Sequence, residues 1–246
     1  MSRDAFVHKV LLAADRHLAP VRPRRVLLTA GRHLSDGQIG VLRTVVGAVE
    51  EGRLLAQSKT FVPNLADRFA LFGEAVRRMR GTAPLYLEFG VYRGRTLRWW
   101  SEHLDAPGAH LVGFDSFRGL PERWRGDAPQ GTFEVQAPPR IDDPRVSFVV
   151  GWFKDTLAGW RPPEHDQLVV NVDCDLYSST ASVLGWLEPH LRPGTLVYFD
   201  DLIDREDELR AFREWTESLG GRVRPVAMAR WGRHLLVEVG GPAQEA

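Results

Sequence analysis

Six carboxylates in this chain stand at the ends of apolar runs. Glu88 lies in Leu85-Tyr-Leu-Glu-Phe89, and Asp115 follows Leu111-Val-Gly-Phe114. Asp173 and Asp175 follow Leu168-Val-Val-Asn-Val172, and Asp200 and Asp201 follow Thr195-Leu-Val-Tyr-Phe199. Apolar runs of this length read as buried strands, and the carboxyl ends of parallel strands share one edge, where ligands bind. Crowded carboxylates repel one another unless cations or hydrogen-bond donors stand beside them. Two chemistries meet that need: gripping the ammonium and hydroxyl groups of a ligand, and holding a hard divalent cation through oxygen. Asp173, Asp200 and Asp201 are the set expected at a Mg2+ ion. Any one of these acids could instead cap the helix that follows it.

The segment Leu85-Tyr-Leu-Glu-Phe-Gly-Val-Tyr-Arg-Gly-Arg-Thr96 narrows the ligand. It reads as a strand, a tight turn at Gly90 and Gly94, and the start of a helix that carries Trp99 and Trp100. Glycines let the backbone approach a ligand, and a helix N-terminus offers unpaired N–H groups to a carboxylate. Neither the dinucleotide pattern G-x-G-x-x-G nor the phosphate loop G-x-x-x-x-G-K-[ST] is present. A nucleoside without a phosphate chain fits, and S-adenosylmethionine (SAM) is such a ligand. Glu88, Gly90, Tyr92, Gly94 and Thr96 are expected to line its site, with Asp173. Asp115, one strand along, suits a ribose diol, with Ser116 beside it. Trp152 and Phe153, after Val146–Val150, could flank an adenine ring or belong to the core.

Positioning these groups requires an α/β architecture. Five apolar runs, at 85–89, 111–114, 146–150, 168–172 and 195–199, alternate with helical patterns at about 95–104, 178–191 and 205–219. Such alternation indicates a parallel sheet covered on both faces. Residues 222–229 and 234–239 flank Trp231-Gly-Arg and can pair only antiparallel. Five parallel strands closed by a hairpin is the sheet of class I SAM-dependent methyltransferases, a Rossmann-like arrangement. Helices are expected at 4–18, from Ser35 or Asp36 to about Gly52, and at 64–80. Residues 1–80 therefore read as a helical extension, a lid or dimer surface, before a SAM-binding domain at 81–240 and a disordered tail at 241–246. Arg22, Arg24 and Arg25 form a solvated linker or an anion site. Tyr177-Ser-Ser-Thr180 is expected to start a helix with a hydroxyl cap.

Composition removes several classes. Lys+Arg and Asp+Glu balance at 32 each, so neither nucleic acid nor a membrane surface is an expected partner. No apolar run approaches the ~18 residues of a membrane span. The single cysteine, Cys174, cannot form an internal disulfide, which points to the cytoplasm. No G-x-S-x-G nucleophile elbow is present.

Five motifs occur in order: Leu87-Glu-Phe-Gly-Val-Tyr-Arg-Gly94, Gly113-Phe-Asp-Ser-Phe-Arg-Gly-Leu-Pro121, Gly151-Trp-Phe-Lys-Asp-Thr156, Asp173-Cys-Asp-Leu-Tyr-Ser-Ser-Thr180 and Arg192-Pro-Gly-Thr-Leu-Val-Tyr-Phe-Asp-Asp201. The series resembles the macrocin O-methyltransferase (TylF/MycF-like) family over roughly residues 60–239. The resemblance implies Mg2+-assisted methyl transfer from SAM to a hydroxyl, often on a natural-product sugar. It places Glu88, Gly90 and Gly94 at the methionine end of SAM, Asp115 and Ser116 at the ribose, and Asp173, Asp200 and Asp201 at the metal. Asp201 or Asp175 is then the expected general base, with His234 or His165 as weaker candidates. The stretch after Asp201 lacks the glycine-rich segment expected of sugar-modifying members. The remaining expectations are a small-molecule hydroxyl acceptor and a homodimer. The alternative is a SAM-binding protein of this fold that transfers no methyl group.

Overall fold

The computed structural model describes residues 35, 61–124, 128–202 and 206–241. Apart from Ser35, these lie in one compact unit, Gly47–Ala246, a second unit being Met1–Val46. The expected helices at 4–18 and 35–52, the arginine cluster at 22–25 and the tail beyond Gly241 fall outside the described residues.

The described residues form an eight-stranded sheet. In chain order the strands are β1 (Asn64–Leu65), β2 (Pro84–Phe89), β3 (His110–Asp115), β4 (Val146–Val150), β5 (Gln167–Val172), β6 (Leu196–Phe199), β7 (Val223–Ala229) and β8 (His234–Val239). Across the sheet the order is β1-β7-β8-β6-β5-β2-β3-β4. The five strands from β2 to β6 are parallel, and β8 is antiparallel to both β6 and β7. This is the class I methyltransferase sheet. The order reverses between β2 and β5, which leaves a crevice beyond their carboxyl ends.

The helices are α1 (Arg68–Arg78), α2 (Arg95–His103), α3 (Phe153–Thr156), α4 (Tyr177–Leu187) and α5 (Glu208–Ser218). Two cores result, one on each sheet face. On one face α1 and α2 bring Leu71, Phe72, Leu97 and Trp100 against Tyr86, Leu111 and Tyr198. Tyr86 stacks on Trp100 at 4.5 Å between ring centres, and Phe72 meets Tyr198 edge-on at 4.8 Å. On the other face Val183, Leu184 and Leu187 of α4 and Leu209, Phe212 and Trp215 of α5 cover Leu87, Phe89, Val170 and Phe199. β4 is one edge of the sheet and is only half covered, with Val150 57% exposed.

Two local expectations need correction. The helix expected over 64–80 begins only at Arg68, with Asp67 as N-cap accepting the Ala70 N–H at 3.0 Å. Asn64 and Leu65 instead pair in parallel with Met228 and Ala229 of β7. Two residues are too few for any periodicity to register. Helix α4 also has no hydroxyl cap. Its N-cap is Leu176, and the Tyr177 N–H is taken by Asp207 from the turn before α5.

Gly185 sits inside α4, and a methyl group there would meet nothing within 4 Å. Gly185→Ala is expected to raise stability by roughly 0.5–1 kcal/mol, because a helical glycine forfeits chain entropy. A thermal melt a few degrees above wild type checks this.

Candidate active site

The loops that follow β2, β3, β4, β5 and β6 enclose a cavity of about 820 Å3 at the crevice. Its wall includes all six strand-end acids: Glu88, Asp115, Asp173, Asp175, Asp200 and Asp201. Gly90, Tyr92, Thr96, Ser116, Trp152 and Phe153 also line it. Gly94 does not. It is the N-cap of α2 in a left-handed conformation (φ 69°), and a side chain there would strike Pro139 at 2.5 Å. Its part is to turn the chain into α2.

Backbone strain concentrates at this rim. Tyr92, Phe117 and Asp175 all adopt positive φ (51°, 57° and 60°), one in each of the loops after β2, β3 and β5. For residues other than glycine this conformation costs about 1–2 kcal/mol each and is retained where surrounding bonds enforce it. Asp115 supplies the bonds for two of them. Its Oδ2 accepts the N–H groups of Val91 and Tyr92 at 2.9 and 2.8 Å, and its Oδ1 accepts the Phe117 N–H at 2.7 Å. A carboxylate has about four acceptor positions, so three are engaged in shaping the loops.

Glu88 is 1% exposed and accepts the Tyr86 hydroxyl at 2.8 Å. Burial pushes its carboxyl from an ordinary 4.5 to about 8, against the opposing pull of the Tyr86 hydrogen bond. Next along the rim, burial and then the neighbouring Asp200 and Asp175 push the Asp173 carboxyl well up, with Arg68 opposing. Asp200 goes the other way. Burial would raise it, but the His234 hydrogen bond, Arg68 and the Tyr198 hydroxyl outweigh burial and hold it below the usual carboxylate range. Tyr198 donates to Asp200 Oδ1 at 2.6 Å. The His234 Nδ1 lies 3.2 Å from the same oxygen and also donates to the Asp200 carbonyl, which fixes its proton on Nδ1.

Two arginines that the sequence pattern did not single out reach this rim. Arg68, the first residue of α1, places Nη2 3.0 Å from Asp200 Oδ2 and Nη1 3.7 Å from Asp173 Oδ2. Arg233, between β7 and β8, lies 3.6 Å from Asp201 Oδ1. Glu208 at the start of α5 is fully buried, and its Oε1 accepts the N–H groups of both Asp200 and Asp201. Burial, then Asp200, raises its carboxyl well above the ordinary range, and its two backbone hydrogen bonds hold the turn after β6. In the sequence Glu206-Asp-Glu208 looks like a solvated acidic run, and Arg68 like one arginine among many.

The question raised by crowded acids is thus answered partly by guanidinium groups and retained protons. Among the described residues no three His, Cys, Asp or Glu side chains stand at metal-binding spacing. The chemistry of the Asp173, Asp200 and Asp201 donors suits Mg2+, but Asp200 turns toward Arg68 and His234 while Asp201 turns toward Arg233. Of the histidines, His165 precedes β5 at the amino ends of the strands, away from the acid rim, where its Nδ1 meets the Pro163 carbonyl, so it is no candidate base. His234 touches Asp200 but does not line the cavity. Both aromatics line the cavity, and Phe153 also packs edge-on against Phe89 of the core.

The long connection from β3 to β4 forms another wall. Gly119, Leu120, Glu122, Trp124 and Phe133 line the cavity. Trp124 Nε1 donates to Asp207 at 2.9 Å, and Ser178 Oγ donates to Glu122 at 2.6 Å, fastening this segment to α4 and to the turn before α5. Only its first motif, through Pro121, was visible as a pattern.

Residues 87–202 match the family model described as a methyltransferase domain. A 59-residue stretch is 48% identical to the 8-demethyl-8-(2,3-dimethoxy-alpha-L-rhamnosyl)-tetracenomycin-C 4'-O-methyltransferase of Streptomyces olivaceus, covering 24% of this chain and 22% of that protein. A 75-residue stretch is 40% identical to the demethyldecarbamoylnovobiocin O-methyltransferase of Streptomyces niveus, covering 28% of each. The matched stretch is thus less than a third of the length of either relative. Among solved structures, the O-methyltransferase NovP shares the fold with a TM-score of 0.57 and 23% identity, over 71% of this chain and 80% of that one.

Proposed function

We propose that this chain is a SAM-dependent O-methyltransferase acting on a hydroxyl of a small molecule, such as a natural-product sugar, in the manner of the macrocin O-methyltransferase family. The observation that carries this reading is the cavity at the strand-order reversal, where a buried acid (Glu88), a glycine turn and a second acid (Asp115) meet. The two relatives, both named as O-methyltransferases of Streptomyces products, support it over their matched segments.

Bound there, SAM would supply the methyl group, which would pass from its sulfur to the acceptor oxygen with release of S-adenosylhomocysteine. The protein's own residues bind, orient and take up the proton. Glu88 and Asp173 suit the ammonium of the methionine end, which would draw Glu88 into its charged form. Asp115 has an acceptor position left for a ribose hydroxyl, with Ser116 beside it. Trp152 offers a flat wall for a base. Asp175, half-buried on the cavity wall in a strained conformation, is the favoured proton acceptor over Asp201, which is buried against Arg233. Alignment of acceptor, methyl and sulfur within an enclosed site supplies the larger part of the acceleration. Asp173, Asp200 and Asp201 would hold Mg2+, whose charge would acidify the acceptor hydroxyl. The reading extends to a cytoplasmic homodimer. Among the described residues no helix is long and apolar enough to cross a membrane.

Calorimetric titration with S-adenosylhomocysteine tests the cofactor assignment. Micromolar binding is expected, with a loss of at least tenfold in Asp115→Ala, which removes both the ribose acceptor and the bonds that hold Tyr92 and Phe117. Binding equal in wild type and variant would sink the site assignment. Tight binding with no methyl transfer to any acceptor in a broad hydroxyl panel would favour the alternative, a SAM-binding protein without transferase activity.

A further inference from the structure

Arg68 stands where the cation of the preceding reading would stand. Its guanidinium spans Asp200 Oδ2 at 3.0 Å and Asp173 Oδ2 at 3.7 Å, and its side chain is 34% exposed on the cavity wall. A Mg2+ ion binds carboxylate oxygens at about 2.0–2.1 Å. Two oxygens sharing one ion at that distance leave no space for a guanidinium between them. The fold anchors the backbone that carries Arg68. β1 ties the chain to β7 three residues earlier, Asp67 caps the helix, and Phe69 and Phe72 embed α1 beside α2. The partial exposure of the side chain leaves it a path into the cavity.

We propose that Arg68 is a built-in competitor for the divalent cation. It occupies the Asp173–Asp200 pair in the ion-free protein and is displaced when a cation binds. The proposal rests on the cation assignment made above. Its role is one of positioning and of setting the cation threshold: with Arg68 in place, the acids are satisfied without metal, and a cation gains only the difference between its own attraction and that of the guanidinium. A doubly charged ion competes with the guanidinium for the same oxygens, so Arg68 raises the cation concentration needed to fill the site.

Mn2+, a paramagnetic probe for a hard-cation site, tests this on the full-length protein by electron paramagnetic resonance and calorimetry. Arg68→Gln is expected to bind Mn2+ at least tenfold more tightly than wild type. Arg68→Lys, whose single ammonium cannot span both acids, is expected to fall between. Equal or weaker binding in Arg68→Gln would overturn the proposal, as would absence of Mn2+ binding in every variant. S-adenosylhomocysteine titrated in parallel separates the two readings. Its retained binding where Mn2+ binding is absent rejects the competitor and leaves the methyl-donor site standing. Thermal melts of each variant establish that the comparison is between folded proteins, and the lysine variant carries the test if the glutamine variant melts early.

Discussion

Gly90→Ala is expected to destabilise the protein by roughly 4 kcal/mol or more, lowering the melting temperature by about 8–16 °C, and to abolish binding of S-adenosylhomocysteine. Gly90 follows β2 directly and has φ +94°, a region closed to side chains. A Cβ there would lie 1.9 Å from the Asp173 carbonyl oxygen, which is backbone and cannot rotate away. Gly90 N–H donates to the Phe114 carbonyl and Asp173 N–H to the Phe89 carbonyl, so both chains are anchored on either side of the clash. Relief requires β2 and β5 to separate at the point where the cavity opens. A melt within 2 °C of wild type together with unchanged affinity would show that this edge of the sheet yields far more easily than the contacts imply.

The second large effect depends on pH. Glu88→Gln is expected to be nearly neutral near pH 5 and more stable than wild type by up to about 4–5 kcal/mol near pH 9. In the fold the Glu88 carboxyl keeps its proton until about pH 8, whereas in the unfolded chain it releases it near 4.5. Between those values the folded state binds more protons than the unfolded state, so wild-type stability falls as pH rises and levels off above 8. Glutamine cannot ionise, keeps a carbonyl for the Tyr86 hydroxyl, and removes this loss. The same substitution should weaken cofactor binding, since an ammonium pairs with a carboxylate and not with an amide. In wild type, affinity should rise toward pH 8 because binding expels the Glu88 proton; in Glu88→Gln that part of the rise should be lost. Melts from pH 5 to 9 that run parallel for the two proteins would show that Glu88 titrates normally.

How much of this was legible in the sequence follows from how each feature is encoded. The five parallel strands were visible because each is a continuous apolar run, and their limits lie within a residue or so of the runs. The convergence of six acids on one cavity followed from strand direction alone. What the acids do was less visible. Asp115 was assigned a ligand, yet its carboxylate is mainly engaged by three backbone N–H groups, and backbone donors leave no trace in a sequence. Strand direction groups Asp200 and Asp201 with Asp173 on one rim, but adjacent residues turn to different sides, and these meet Arg68 and Arg233 respectively. Arg68 was hidden by its setting on an amphipathic helix, where an arginine reads as solvated surface. Glu208 was hidden in an acidic run, although it is fully buried. Partnerships between residues as distant as Arg68 and Asp200, 132 positions apart, depend on topology, and the two-residue strand that brings α1 to the rim has no pattern of its own.

That short strand also sets an order of events for a chain made from one end. β1 pairs with Met228 and Ala229, far later in the sequence, and it is the attachment point for the segment that carries Arg68. The parallel strands β2 to β6 can be synthesised and can begin to pair before β7 exists, since their contacts lie within residues 84–199. Until the β7–β8 hairpin has been made, β1 has no strand to pair with. Closing a loop of that length is slow compared with forming local structure. Asp173 and Asp200 therefore exist before β1 is anchored, and the pairing of β1 with β7 completes the sheet beside the segment that carries Arg68.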